Sequence, residues 1–198
     1  GLEEIVLPSS LDAIGNETFS NCFCLKNIFI PSTLTFCGRN AFCNCINLER
    51  IDVDPKNNLL SSEDSVLFSK DKKELILYPI NNKDKLYKMP SKVKQIGEEA
   101  FLFNKHLEEI IFPEEIETIG LCSFQGANLV KVYIPNSVKE IGYHAFAGCH
   151  HLKQIRFPDI ENFCEILKDN FDLKQINVSK VFVKNNPKFI EEYKDKIK

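Results

Sequence analysis

The sequence lacks a hydrophobic run long enough to cross a membrane. Its longest apolar runs, residues 75–78 and 110–112, have the length of short strands, whereas a membrane-spanning helix needs about 20 apolar residues. It also lacks an initiator methionine and a charged-then-apolar leader. We therefore expect no membrane insertion in this piece of chain, and we expect any targeting signal to lie outside it.

The sequence also lacks an excess of charge of one sign. Its 25 Lys and Arg residues and 28 Asp and Glu residues are interspersed and leave a net charge of −3. Nucleic acids and anionic lipid surfaces are attracted by basic fields, so neither is expected as a partner. With 43% hydrophobic residues among 198, the chain can bury a continuous core.

Motifs of catalysis and cofactor binding are missing as well. There is no glycine-rich phosphate loop, and no Ser/His/Asp or Cys/His pattern that indicates a nucleophile. We expect no enzyme, no catalytic residue and no cofactor. A hydrolase of unfamiliar type stays a weaker alternative, which would require a deep pocket with convergent titratable groups.

What the sequence has is an internal repeat, which overrides any reading of single elements. Its units are spaced by 23, 23, 36, 23, 22 and 23 residues. Each is apolar at positions 4 and 6, and most are apolar at position 10, carry proline at position 7 and have an Ile-Gly-like pair at positions 13 and 14. Phenylalanine occupies position 18. The units start at Leu2, Leu25, Leu48, Asp84, Leu107, Leu129 and Leu152, and the phenylalanines are Phe19, Phe42, Phe101, Phe124 and Phe146.

This pattern predicts a coil that cannot bury its apolar face alone. Positions 1, 4 and 6 point inward from a short strand, proline and glycine turn the chain, and phenylalanine closes the coil from the far side. Stacked coils pair their strands in a parallel sheet and share a core. The recurring glycine indicates either a positive φ or a close approach of the next coil. The five phenylalanines are expected to form one continuous buried stack.

The unit L-x-x-I-x-I-P-x-x-[L/V]-x-x-I-G-x-x-A-F-x-x-C-x-x resembles the BspA-type leucine-rich repeat. The resemblance covers residues 2–172, and residues 181–198 resemble the strand and helix that end such proteins. It implies a leucine-rich-repeat solenoid, by convention an α/β horseshoe, built mainly of short parallel strands in a single domain of residues 1–198. The expected repeats are 2–24, 25–47, 48–83, 84–106, 107–128, 129–151 and 152–172, followed by a cap at 173–198.

Two departures from the repeat are expected. The long third unit contains strand-like residues 65–69 and 74–78 around a polar turn, which predicts an inserted β-hairpin. Residues 159–171 lack Gly and Pro and predict a helix on the outer side of the seventh unit. A C-terminal helical cap is expected in residues 173–198, because Asn186-Pro187 can open a last helix.

The resemblance also implies a role. Proteins of this family are known mainly as surface and secreted proteins of mucosal bacteria and protozoan parasites, where they are associated with adhesion. It therefore implies a non-catalytic protein-recognition module, at the cell surface or secreted, that binds host extracellular-matrix or cell-surface proteins. An intracellular scaffold or effector remains the alternative, because eight cysteines suit a reducing compartment equally well.

The candidate binding surface is the outward side of the expected concave sheet, formed by repeat positions 3 and 5. Large apolar groups and basic groups on a face that should be wet are typical of interfaces. Ordinary β-propensity explains the apolar groups equally well. The predicted partner-binding residues are Phe29, Arg50, Ile111, Lys131, Tyr133 and Arg156.

The cysteines and histidines permit three interpretations. Cys22, Cys45 and Cys149 share repeat position 21, which favours small buried residues between coils. A disulfide between Cys22 and Cys45 and a zinc site are the alternatives, although the spacing does not favour zinc. His150 and His151 fall in the turn between units and are predicted to be solvated. No metal site is expected.

Overall fold

Each repeat unit forms one coil with a strand at positions 3–6. The computed structural model describes residue 1, residues 3–156 and residues 180–182. The strands at positions 3–6 are β1 (Glu4–Ile5), β3 (Asn27–Ile30), β5 (Arg50–Val53), β9 (Leu86–Lys88), β11 (Glu109–Ile111), β13 (Lys131–Tyr133) and β15 (Gln154–Arg156), and β16 (Lys180–Phe182) pairs beside β15.

A second, two-residue strand follows near position 13. These short strands are β2 (Ala13–Ile14), β4 (Phe36–Cys37), β10 (Gln95–Ile96), β12 (Thr118–Ile119) and β14 (Glu140–Ile141). The third unit has instead the longer strands β6 (Leu60–Glu63), β7 (Val66–Ser69) and β8 (Glu74–Leu77).

The strands at positions 3–6 make two parallel ribbons. The first ribbon is β1-β3-β5, and the second ribbon is β9-β11-β13-β15-β16. Equal repeat positions face each other: Ile28 pairs with Ile51 and Ile110 with Val132. The parallel solenoid predicted from the period is confirmed.

The inward and outward positions also agree with the prediction. Ile110 at position 4 and Phe112 at position 6 are buried, whereas Ile111 between them is exposed. The same alternation holds in β3, where Ile28 and Ile30 flank the exposed Phe29. Alternation across a strand is a property of the extended backbone, so each strand presents positions 3 and 5 outward.

The predicted hairpin is present, but its setting was misjudged. Strands β7 and β8 are antiparallel, and β6 adds a further antiparallel strand beside β7. Strand β8 belongs to the repeat, because Leu75 pairs in parallel with Ile96 at position 13. The true insertion is therefore β6 and β7.

The insertion divides the sheet, which was expected to be continuous. The Ile51 N–H donates to the Ser65 carbonyl at 3.2 Å, and the Val53 N–H donates to the Ser62 hydroxyl at 2.9 Å. With its edge covered in this way, β5 does not pair with β9 in the part of the chain that the structure describes. The first and second ribbons are separate sheets.

The phenylalanine ladder is divided at the same place. All five rings are buried, as predicted, but they form two stacks, not one. Phe19 stacks on Phe42, with centroids 5.5 Å apart. The second stack begins at Tyr78, which takes the place of phenylalanine in the third unit. Its centroid separations are 4.9 Å from Tyr78 to Phe101, 4.7 Å from Phe101 to Phe124 and 5.1 Å from Phe124 to Phe146.

The glycine at position 14 is required for close approach. A Cβ added to Gly142 would lie 2.4 Å from the Leu121 nitrogen of the preceding coil, and one added to Gly38 would lie 2.3 Å from the Asn16 nitrogen. Positive φ occurs instead at positions 16 and 20 of each unit other than the third among the described coils. These residues are Glu17, Asn21, Asn40, Asn44, Glu99, Phe103, Cys122, Gly126, His144 and Gly148.

An outer ladder of hydrogen bonds joins the corners that these turns form. The N–H groups of positions 16, 18 and 20 donate to carbonyls of positions 15, 17 and 19 in the next unit. In the fourth unit, Glu99, Phe101 and Phe103 donate to the fifth unit at 2.7–2.9 Å. The first and fifth units make the same three bonds. The coils are therefore held at sheet spacing on the outer side as well.

The two predicted helices, at 159–171 in the seventh unit and after Asn186 in the C-terminal cap, lie outside the described residues. Of this region the structure describes only β16.

The close approach at position 14 predicts that Gly142→Ala destabilises the fold by about 2 kcal/mol or more, because the new methyl group overlaps backbone that cannot rotate away. Gly15→Ala is the matched control. Gly15 holds the same position in the first coil, and its added Cβ meets only the Thr18 hydroxyl at 3.2 Å. Equal losses in urea unfolding would contradict the role assigned to this glycine.

The buried stack predicts that Phe124→Ala lowers the free energy of unfolding by about 3–5 kcal/mol, because a fully buried ring is replaced by a cavity. Phe23→Ala is the control, since Phe23 is 49% exposed, and its loss should stay within about 0.5 kcal/mol. Urea denaturation measures both. A loss below about 1 kcal/mol for Phe124→Ala would be inconsistent with this packing.

Candidate protein-binding surface

The outward face of the second ribbon carries a compact apolar patch. Ile111 and Tyr133 stand at position 5 of adjacent strands, and Leu86 stands at position 3 of β9. Their exposed fractions are 43%, 40% and 53%. These three side chains, together with Lys88 and Lys131, are called the second patch below.

The register places basic groups beside the apolar ones. Lys88 is paired with Ile111 across β9 and β11, and Lys131 is paired with Gln154 across β13 and β15. Both lysines are exposed. The Tyr133 hydroxyl donates to the Gln154 side-chain oxygen at 3.4 Å, which is a long hydrogen bond. Glu109 stands between Leu86 and Lys131 in the row of position 3. The second patch thus has an apolar centre, and its border carries two lysines and one carboxylate.

Arg156 ends β15 and pairs with Tyr133 in the register. Its backbone position therefore continues the row of Lys88, Ile111 and Tyr133, as the sequence predicted.

Phe29 and Arg50 lie on the first ribbon, apart from the other four predicted residues. Phe29 is 51% exposed, and the next outward residue toward the end of the array, Val6, is 93% exposed. Arg50 donates from Nε to Asp52 at 2.5 Å, and this bond raises the pKa of the arginine. Its charge is already paired within its own strand, so Arg50 is a weak candidate for a partner contact.

The sequence therefore grouped on one surface residues that the structure places on two separate ribbons. Ile111, Lys131 and Tyr133 come together, while Phe29 and Arg50 do not join them. Leu86 and Lys88 were missed. Both occupy outward positions of the fourth unit, and the alternation of the strand predicts that they are exposed. The sequence does not indicate that β9 begins the second ribbon, which is what places them beside Ile111.

The position-21 cysteines behave as small buried residues. Cys45 and Cys149 are buried, Cys22 is half-buried, and all three are unpaired thiols. The Cys45 thiol donates to the Phe19 carbonyl and the Cys149 thiol to the Phe124 carbonyl, each at 3.0 Å. Burial raises the pKa of Cys45 to about 11 and that of Cys149 to about 12, so both stay protonated at neutral pH.

The three side chains of the Cys149-His150-His151 cluster differ in burial. Cys149 is buried, whereas His150 and His151 are exposed. Within residues 3–156, no three His, Cys, Asp or Glu side chains converge on a point that could hold a metal ion.

A cavity of about 370 Å³ opens on the outer side between the second and fourth units. Several titratable groups line it, including Cys43 and Glu99. Such a cavity was not expected from a repeat whose coils are filled. The Cys43 thiol donates to Glu99 at 3.2 Å, and burial together with Glu99 raises the pKa of Cys43 to about 12. The thiolate required for nucleophilic attack is therefore suppressed, and the cavity does not favour the hydrolase alternative.

Among the described residues, no helix is long and apolar enough to span a bilayer.

A parallel β-solenoid with buried apolar positions at a 23-residue period defines the class of leucine-rich-repeat proteins. The family comparison agrees: the BspA type leucine-rich repeat region matches in six copies over residues 1–83 and 80–194. The chain belongs to the BspA-type leucine-rich-repeat family.

Solved structures of bacterial proteins are similar to this chain. A leucine-rich repeat protein from Eubacterium ventriosum is 31% identical with a TM-score of 0.73, covering 78% of this chain and 41% of its own. The pneumococcal vaccine antigen PcpA is 30% identical with a TM-score of 0.64, covering 77% and 44%. A leucine-rich cell surface protein from Faecalibacterium prausnitzii is 25% identical with a TM-score of 0.59, covering 80% and 54%.

The chain thus spans about half or less of the length of these relatives. A comparison with curated proteins gives no significant match.

Burial predicts that Cys45 and Cys149 resist maleimide at pH 8 in the folded protein, whereas the half-buried Cys24 reacts. Peptide mapping by mass spectrometry after native labelling measures this. Labelling in urea is the control, since every thiol should then react. Rapid native labelling of Cys149 would contradict its burial between coils.

Proposed function

We propose that this chain is a non-catalytic protein-recognition module that binds its partner through the second patch. The observation that supports this most directly is the grouping of Leu86, Ile111 and Tyr133 on adjacent, fully paired strands. Large apolar and aromatic groups surrounded by a polar rim are typical of protein interfaces.

The physical basis of recognition is a rigid sheet. The strands of the second ribbon are held by parallel pairing on both sides of β11 and β13, so little backbone order is lost on binding. Apolar groups at the centre supply desolvated contact, and Lys88, Lys131 and Arg156 attract a partner with acidic groups around an apolar centre.

The location that best fits this module is the cell surface or the extracellular space, where it would adhere to host proteins or cells. The support is family membership and the description of a similar chain as a cell surface protein. An intracellular scaffold or effector is the second candidate, favoured by seven unpaired thiols among the described residues. The full-length coding sequence separates them: a secretion signal or surface anchor supports the first.

The test is a binding screen against extracellular-matrix proteins and host-cell surfaces, followed by a triple variant of Leu86, Ile111 and Tyr133 to serine. We expect the variant to lose affinity by at least about 30-fold, because centrally placed apolar anchors carry most binding energy. Lys131→Glu should mainly slow association and reduce its salt dependence.

A matched control removes similar exposed surface elsewhere. Phe23, Phe36 and Tyr143 are 49%, 54% and 58% exposed and lie outside both ribbons, so their triple serine variant should bind normally. Phe29→Ser tests the first ribbon separately. Full affinity in the second-patch variant would refute the assignment.

A further inference from the structure

The outer ladder is interrupted at the third unit. In the second unit, the N–H groups of Asn40, Phe42 and Asn44 occupy positions 16, 18 and 20, but within the described residues they donate to no carbonyl. The equivalent groups of the first, fourth and fifth units each make their bond. Three backbone donors are therefore open.

The facing side of the interruption presents open acceptors. Of the carbonyls at positions 15, 17 and 19 in the fourth unit, Ala100 accepts from the Tyr78 N–H at 2.8 Å, while Glu98 and Leu102 accept no hydrogen bond among the described residues. The second unit thus presents backbone donors and the fourth unit presents backbone acceptors, because the corner of the third unit between them is shortened.

The cause is a shortened corner in the third unit. Five residue steps separate Ile96 at position 13 from Phe101 at position 18, but only three separate Leu75 from Tyr78, which occupy the same places. The corner recedes because the chain arrives there from the inserted strand β7 through β8. The space left outside it is the cavity of about 370 Å³, called the notch below.

The notch is lined in a way that fits a peptide. Its apolar floor includes Leu67, Leu77 and Ile80, and its rim carries the carboxylates of Glu74, Glu98 and Glu99. Burial is the largest cause of the raised pKa of Glu74, and the negative charges of Asp71 and Glu98 add to it. The one basic group in the lining, Arg39, reaches Glu98 at 3.9 Å with a side chain that is 83% exposed.

We propose that the notch binds a basic peptide segment of a partner protein, which lies outside the shortened corner. Its carbonyls at positions equivalent to 15, 17 and 19 accept from Asn40, Phe42 and Asn44. Its N–H groups at positions equivalent to 16 and 20 donate to Glu98 and Leu102. Side chains at 15 and 16 come beside Glu98 and Glu99, so lysine or arginine is favoured there.

Addition of a segment to an open backbone edge is an established mode of peptide recognition, and a cavity of this size lies within the range of ligand sites. This site is on the outer corners and shares no residue with the second patch. It stands or falls independently of the function proposed above.

The probe is a capped heptapeptide that copies residues 142–148 with Tyr143→Lys, His144→Lys and Phe146→Gly. It supplies two basic side chains, and glycine replaces phenylalanine because Tyr78 already fills the inward place of position 18. It is titrated to about 1 mM into the full chain, since weak peptide affinities fall in this range, and amide hydrogen exchange is followed by NMR. We expect the Asn40, Phe42 and Asn44 amides to exchange rapidly in the free protein. With peptide, their exchange should slow at least about tenfold, as for a newly formed bond.

Two control peptides separate charge from backbone pairing. The same peptide with glutamate in place of both lysines should not bind. The lysine peptide N-methylated at the residues equivalent to 144 and 148 loses the donors for Glu98 and Leu102, and should also fail.

The matched protein variants are Glu98→Gln and Glu115→Gln. Glu98→Gln should weaken binding about threefold or more, as for a partly exposed ion pair, whereas Glu115, which is 74% exposed and does not line the notch, should have no effect. The proposal is overturned if the three amides are already protected in the free protein, if the N-methylated peptide binds equally well, or if ultracentrifugation shows that a second copy of the chain occupies the notch.

Discussion

The stacking of consecutive coils at backbone hydrogen-bond distance is the constraint on which the rest of the molecule depends. A single coil has only a few inward side chains and no partner for its strand, so its core exists only between neighbours. Parallel pairing at positions 3–6 and the outer ladder at positions 16, 18 and 20 hold both sides of each coil at the same spacing. That spacing leaves no room for a side chain at position 14, which explains the recurring glycine.

Where this stacking is interrupted, the molecule acquires its individual features. The strands β6 and β7 cover the edge of β5, so the sheet, the aromatic stack and the apolar core are all divided at the third unit. Tyr78 preserves the aromatic column from the third unit onward, stacking on Phe101. The same change shortens the outer corner and leaves backbone groups of the second and fourth units without hydrogen-bond partners among the described residues. One insertion thus accounts for two ribbons and for the notch.

A division of this kind matters for recognition because exposed residues act together only when the backbone places them on one surface. The second ribbon supplies a continuous row in which Ile111 and Tyr133 stand side by side between the basic residues Lys88 and Arg156. The first ribbon supplies Phe29 and Val6 beside charges that are paired internally, such as Arg50 with Asp52. The two ribbons therefore offer different surfaces, although their repeat units are alike.

The sequence by itself determined the repeat, the alternation of inward and outward positions, and the burial of phenylalanine at position 18. These features follow from a period of 23 residues and from strand geometry, which act locally in every unit. It also located the hairpin, because a polar turn between two apolar segments is a local signal. From the sequence, the glycine at position 14 could be explained either by positive φ or by close approach of the next coil. The positive φ of residues such as Glu17 and Phe103 could not be predicted, because these residue types do not favour that conformation.

Only the tertiary structure decided which strands pair across the irregular unit. Whether β8 extends an insertion or continues the repeat depends on the contact of Leu75 with Ile96, 21 residues away, and not on either local sequence. That long-range choice separated Phe29 and Arg50 from Ile111, Lys131 and Tyr133, and brought Leu86 beside them. Side-chain identity was readable from the sequence, but the surface on which the side chains meet was set by pairing between distant segments.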